Sequence, residues 1–186
     1  MMDTIQYTAE IIKELQQAVT LIAEEEAEKL ADTILQSGKV FLAGAGRSGL
    51  MGRAFTMRLM HTGIEAYVVG ETVTPGIDKG DVLIIGSGSG ETKTLVSMAE
   101  KAKSLDASVV TVTINPESTL GKLSDFTVKL PGAPKDQASG NYNTIQPMAS
   151  LYEQTLLVFY DAVILRMMEK RGLDTNKMYG KHANLE

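Results

Sequence analysis

Two stretches of this chain run from a short apolar segment through glycine directly into a helical pattern, and they constrain its folding more than anything else. KVFLAGAGRSG (39–49) and DVLIIGSGSGET (81–92) each carry four to six apolar residues with no alternation of polar and apolar positions. A strand without alternation is covered on both faces, which is the condition of a parallel sheet wrapped by helices. Glycines at the carboxyl end of such a strand let the backbone turn tightly and start a helix beside it.

The rest of the chain repeats this grammar. Residues 3–37 have helical spacing and read as two pieces, capped by Asp3 or Thr4 and stopped by Gly38. Segment 47–61 is helical, EAYVVG (65–70) is a strand, 91–105 a helix, SVVTVTI (108–114) a strand and FTVKL (126–130) a strand. With 39–44 and 81–86 that makes five strands, so the expected architecture is α/β: a single three-layer domain over 1–186 with a five-stranded parallel sheet flanked by helices. The sheet core spans 39–130 and the N-terminal helices 3–37. PGAPKDQASGN (131–141) reads as a long loop. A C-terminal helix follows over about 147–171, opened by Pro147 in its first turn. It is apolar nearly all round, which suggests burial on most sides and hence a homo-oligomer.

Composition removes several classes of function. The chain has 186 residues, a size suited to one domain. Its net charge of −5 argues against nucleic acid as a partner. The absence of cysteine excludes disulfides and thiolate chemistry, and two histidines, His61 and His182, are too few for a multi-histidine metal site. No bound metal or cofactor is expected. Acidic residues in the N-terminal stretch exclude a signal peptide, and no window of 18 apolar residues predicts a membrane span. The expected location is the cytoplasm.

Both glycine-rich loops lie at carboxyl ends of parallel strands, where open α/β sheets bind ligands and helix N-termini turn N–H groups toward anions. Ser48, Ser87, Ser89 and Thr92 add hydroxyls that can ring a phosphate without adding charge. The first loop alone spells G-x-G-x-x-G, the dinucleotide fingerprint, and Glu71 stands where a ribose-binding acid would be. A second loop dense in hydroxyls argues against that reading. If the strands before the two loops are neighbours, both loops meet on one phosphate; the alternative is that both are plain strand-to-helix turns.

The SGSGET loop (87–92), placed after a glycine-rich loop bearing Ser48, resembles the sugar isomerase (SIS) domain, a flavodoxin-like fold. GAGRSG (44–49), RLMHTG (58–63), QPMASLYEQ (146–154) and HANLE (182–186) extend the likeness to the 6-phospho-3-hexuloisomerase family across essentially the whole chain. The resemblance implies an isomerase that interconverts 3-hexulose 6-phosphate and fructose 6-phosphate in the ribulose monophosphate pathway, without a cofactor, as a tetramer. It implies phosphate binding by Ser48, Ser87, Ser89 and Thr92. It also implies places near the sugar for Arg47, Glu153 and His61.

Moving a carbonyl from C3 to C2 requires a base at C2 and a partner for the enediol oxyanion. Glu153, among apolar neighbours early in a helix, is the candidate base. Its alternative is a surface acid that complements the helix dipole. Arg47 opens a helix, where a cation is disfavoured, so it points to an anionic partner: the substrate, or alternatively a nearby acid. His61 follows Arg47 by 14 residues on one helix, roughly 21 Å along the axis, so it would serve a neighbouring subunit's site; otherwise it is a helix-end histidine. Another sugar-phosphate isomerase, such as one for arabinose 5-phosphate, a non-catalytic sugar-phosphate sensor and a dinucleotide-dependent dehydrogenase remain as alternatives.

Overall fold

The computed structural model describes residues 1–133, 144–174, 178 and 180. Five strands, β1 (Val40–Gly44), β2 (Ala66–Val68), β3 (Val82–Gly86), β4 (Ser108–Thr113) and β5 (Phe126–Lys129), form one parallel sheet in the order β2-β1-β3-β4-β5. Among the described residues these helices surround it: α1 (Thr4–Val19), α2 (Glu24–Gln36), α3 (Gly46–His61), α4 (Lys93–Ser104), α5 (Thr119–Leu123) and α6 (Ser150–Arg171). The α/β three-layer architecture read from the sequence is the one observed.

The unalternating strands account for two cores. Side chains of β1 and β3 go to opposite faces in turn. Val40, Leu42, Val82 and Ile84 pack with Leu30, Phe55, Leu59, Tyr160 and Val163 of α2, α3 and α6. Phe41, Ala43, Leu83 and Ile85 pack with Leu95, Ala99 and Leu120 of α4 and α5. Both faces are dry, so a polar alternate position would have nowhere to go.

Three boundaries differ from the sequence expectation. Helix α6 starts at Ser150, so Pro147 is not in its first turn. Met148 takes a φ of 57°, outside the helical region, and the helix can begin only after it. Helix α5 was not foreseen: five residues are too few for a readable period, and its cap is a hydrogen bond from Gly121 N to Ser118 Oγ. The loop predicted over 131–141 falls mostly outside the described residues, as does His182. The apolar stripe of α1 is exposed in the isolated chain: Ile5 is 76% and Ile12 52% accessible. On α6, Leu165 is 67% accessible. No helix among the described residues is long and apolar enough to cross a membrane.

Asp81 fixes the foot of the sheet. It is buried and accepts from Lys39 N at 2.9 Å, Lys39 Nζ at 2.9 Å and Asp78 N at 2.9 Å, tying the start of β1 to that of β3. Burial pushes its carboxyl up, but the Lys39 and backbone hydrogen bonds outweigh it and leave the pKa below 3.8. Asp125 shows the same balance, with burial opposed by Lys103 and Val109 N. A depressed carboxylate stabilises the fold above its unfolded pKa and loses that contribution as pH falls through its folded value. The melting temperature should therefore fall as pH drops below about 4. Asp81→Asn should lower it at neutral pH and flatten the acid slope, read by thermal unfolding across a pH series.

Candidate active site

Strands β1 and β3 are hydrogen-bonded neighbours, and their register sets Gly44 opposite Gly86. Both glycine-rich loops therefore leave the sheet side by side. The first needs its glycines because the chain crosses itself: a Cβ on Gly49 would lie 2.6 Å from the Gly44 carbonyl oxygen. The loops, with Ala149 and Tyr152 of the α6 approach, enclose a cavity of about 300 Å³ lined by Ser48, Ser87, Ser89 and Thr92. The four residues singled out as phosphate ligands thus share one cavity.

The chemistry of this cavity is that of an anion site. Ser48 lies in the first turn of α3, and Thr92 is the N-cap of α4 without a side-chain cap bond. First-turn N–H groups have no partner within the helix. Neither first turn carries an acid, so two positive dipole ends face the cavity uncompensated. Ser87 Oγ accepts from Gly90 N at 3.2 Å and Ser89 Oγ from Glu91 N at 3.3 Å. Each hydroxyl is thereby oriented and keeps a proton to donate.

Tyr152 forms the floor. It is fully buried and donates from its hydroxyl to Val112 O at 2.7 Å. Burial holds its phenol well above 10, so it stays neutral and packs rather than carrying protons. A Cβ on Gly88 would approach its ring to 3.2 Å.

The second group of singled-out residues, Arg47 and Glu153, directly adjoins Ser48 and Tyr152 in sequence. Arg47 Nε lies 3.1 Å from Glu153 Oε2, and Arg47 Nη1 donates to Ser150 Oγ at 3.0 Å. Arg47 does pair with a nearby acid, and that acid is Glu153. Glu153 does stand in the first turn of α6, yet it is buried rather than on the surface. Arg47 and Ser150 also line a second cavity of about 320 Å³ with Tyr7, Gln146 and Gln154. The first turn of α6 thus separates an anion cavity from a cavity that holds the guanidinium.

His61 is not brought to this site. It ends α3, buried, with Nδ1 3.4 Å from Arg58 Nη1, at the opposite end of the helix from Arg47.

One residue that shapes the anion loop went unnoticed in the sequence although it sits inside SGSGET. Glu91 turns away from the cavity and accepts from Thr119 N at 2.8 Å and Thr119 Oγ1 at 2.7 Å. These bonds hold its carboxyl below 4.5. Gly90, at φ +67°, lets the loop pass Ser118, whose Oγ would lie 1.9 Å from a Cβ there. The start of α5 is therefore the loop's buttress. Glu91→Ala should raise amide hydrogen exchange over 87–92 and 118–120 while leaving β1 and α3 unchanged, and exchange mass spectrometry reads both.

Known proteins are similar to this chain in sequence and in fold. The SIS domain family matches residues 33–158. The 3-hexulose-6-phosphate isomerase of Bacillus subtilis (strain 168) is 59% identical over 185 residues, covering 100% of both chains. That of Mycobacterium gastri is 43% identical, covering 87% of this chain and 81% of the relative. A crystal structure from Methanococcus jannaschii, for which a molecular function of 3-hexulose-6-phosphate isomerase was inferred, is 32% identical and covers 100% of both chains with a TM-score of 0.81. Matched over most of its length in sequence and in fold, this chain belongs to the SIS domain family, in the branch that contains the 3-hexulose-6-phosphate isomerases.

Proposed function

We propose that this protein is a 3-hexulose-6-phosphate isomerase, interconverting D-arabino-3-hexulose 6-phosphate and fructose 6-phosphate through an enediol in the ribulose monophosphate pathway. The observation that carries this reading is the Glu153–Arg47 pair, whose members directly adjoin in sequence Tyr152 and Ser48 of a hydroxyl-lined cavity between two helix N-termini. Ser48, Ser87, Ser89 and Thr92 bind the phosphate. Glu153 takes the proton from C2 and returns it to C3, and the Arg47 guanidinium stabilises the negative charge that develops on the enediol oxygens. One proton moves from C2 to C3 and another from O2 to O3, and no electrons leave the substrate, so the step as written consumes no redox cofactor.

The protein works as one SIS domain, in the cytoplasm, without nucleic acid as a partner. It assembles as a homotetramer. The exposed apolar stripes of α1 and α6, with Leu50, Met57 and Met60 on α3, support burial against further copies. His61, remote from its own chain's cavity, reaches the substrate of a neighbouring subunit.

A coupled assay tests the activity: 3-hexulose 6-phosphate, made in situ from formaldehyde and ribulose 5-phosphate, should yield fructose 6-phosphate. No product would refute the assignment. Glu153→Gln should lower kcat by about 100-fold or more with little change in KM. Ser89→Ala and Thr92→Ala should act in the opposite sense, raising KM by the loss of a charge-assisted hydrogen bond of about 1.5–3 kcal/mol each.

The shared site has its own test. Glu153→Gln and His61→Ala chains, each inactive alone, should regain activity after dissociation and joint reassembly, because some sites then take an intact Glu153 from one chain and an intact His61 from the other. A mixture that reassembles by mass and stays inactive would place His61 outside the neighbour's site.

A further inference from the structure

The chain reaches α6 by an irregular path. Pro147 has no N–H, Met148 holds a φ of 57°, and Ala149, the N-cap, has no side chain to cap the helix. The break at Met148 stops the helix from starting earlier, but no side chain caps α6, whose first turn carries Ser150 and Glu153, the partners of Arg47. The segment before it is held from the other end of the sequence. Glu14, on α1, is buried with only 7% of its surface accessible. It accepts from Thr144 Oγ1 at 2.6 Å, Ile145 N at 2.8 Å and Gln146 Nε2 at 2.8 Å. Thr144 Oγ1 in turn accepts from Gln146 N at 3.0 Å, which closes the three residues into one knot around the carboxylate.

We propose that Glu14 is a positioning residue for the reaction: by clamping residues 144–146 to α1 it sets the start of α6 and so the placement of Glu153 and Ser150 against Arg47. The inference rests on the function proposed above. Three donors on two carboxylate oxygens need an ionised acceptor. Burial pushes the Glu14 carboxyl up, and the hydrogen bonds from Thr144, Gln146 and Ile145 N outweigh it and keep it below 4.5. A glutamine of the same shape would offer one acceptor oxygen and bring an N–H₂ against donors.

The clamp bears most directly on one half of the site. Ile145, Gln146 and Pro147 line the cavity that holds Arg47 and Ser150, together with Tyr7 and Ile11 of α1. The hydroxyl groups of the anion cavity are fixed separately, by the register of β1 and β3 and by the bonds of Glu91 to Thr119 of α5, and Tyr152 by its bond to Val112 O. The remainder of α6 is held by packing of Leu156, Tyr160, Val163 and Met167 in the core. Loosening the clamp should therefore spoil proton transfer and spare phosphate binding and the fold.

The test uses Glu14→Gln and, as a gentler change, Thr144→Val in the full-length protein. In Glu14→Gln, amide exchange should rise over 144–156 and stay unchanged over 86–92. Its kcat should fall about 10- to 100-fold, the scale of a catalytic group displaced by an ångström. The inhibition constant of inorganic phosphate, used as a competitive probe, should not move. Thr144→Val should show smaller changes in the same direction, and it decides the matter if Glu14→Gln does not fold. Exchange that is unchanged over 144–156, or raised equally throughout the chain, overturns the clamp. Raised exchange at 144–156 with kcat intact overturns its part in the reaction. A wild-type protein that binds phosphate but does not turn over the hexulose phosphate overturns the proposed function instead, and the exchange readout still decides the clamp.

Discussion

The pairing of β1 with β3 is the constraint on which the rest of the site depends. Because Gly44 lies opposite Gly86 in a parallel ladder, two loops separated by some forty residues leave the same edge together. The connection between them makes β2 an outer strand, so the chain order 1-2-3 becomes the spatial order 2-1-3. At that reversal two helices, α3 and α4, start in parallel with their N–H ends toward one point, and no carboxylate in either first turn cancels them. A cavity ringed by hydroxyls at such a point suits an anion through dipoles and neutral donors, with no lysine or arginine among its described lining residues. An acidic protein can thus present a cavity suited to the phosphate proposed for it.

The second constraint is α6, which closes the site from above the sheet. Tyr152 anchors it to β4 through Val112 O, and Leu156 and Tyr160 sit where a Cβ on Gly86 would touch them. The loop glycines are required as much by this helix as by the ligand. With the helix fixed, consecutive side chains divide the labour: Tyr152 floors the anion cavity while Glu153, one residue on, turns to Arg47 on α3. An ion pair buried on the acid's side and exposed on the arginine's side leaves the guanidinium accessible, which suits the oxyanion partner proposed for it.

Buttressing of each half comes from parts of the chain that carry no chemistry themselves. Glu91 leans on Thr119 of a five-residue helix, and Glu14 gathers Thr144, Ile145 and Gln146. Both carboxylates are bonded on each oxygen by neutral donors, whereas Glu153 pairs with a half-exposed cation. That difference separates structural acids from the candidate base better than burial does, since Glu14 and Glu153 are each 7% accessible.

The sequence by itself determined the sheet, its parallel sense and the two loops. Those properties are local: an apolar run without alternation, a glycine where a strand must turn and a helical period after it. The hydroxyl set Ser48, Ser87, Ser89 and Thr92 was legible for the same reason, since all four residues lie within a few positions of those glycines. Tertiary structure alone decided that Arg47 faces Glu153 across 106 positions of sequence, that Glu14 holds residues 144–146, and that α6 starts at Ser150 rather than at Pro147. Glu14 had left a trace, a carboxylate one turn before the buried Ala18 on an otherwise apolar face of α1, but nothing local names its partners. Spacing along the chain reports which face of a helix is buried. It does not report what that face meets, because the partners of a buried charge are chosen by the packing of whole elements.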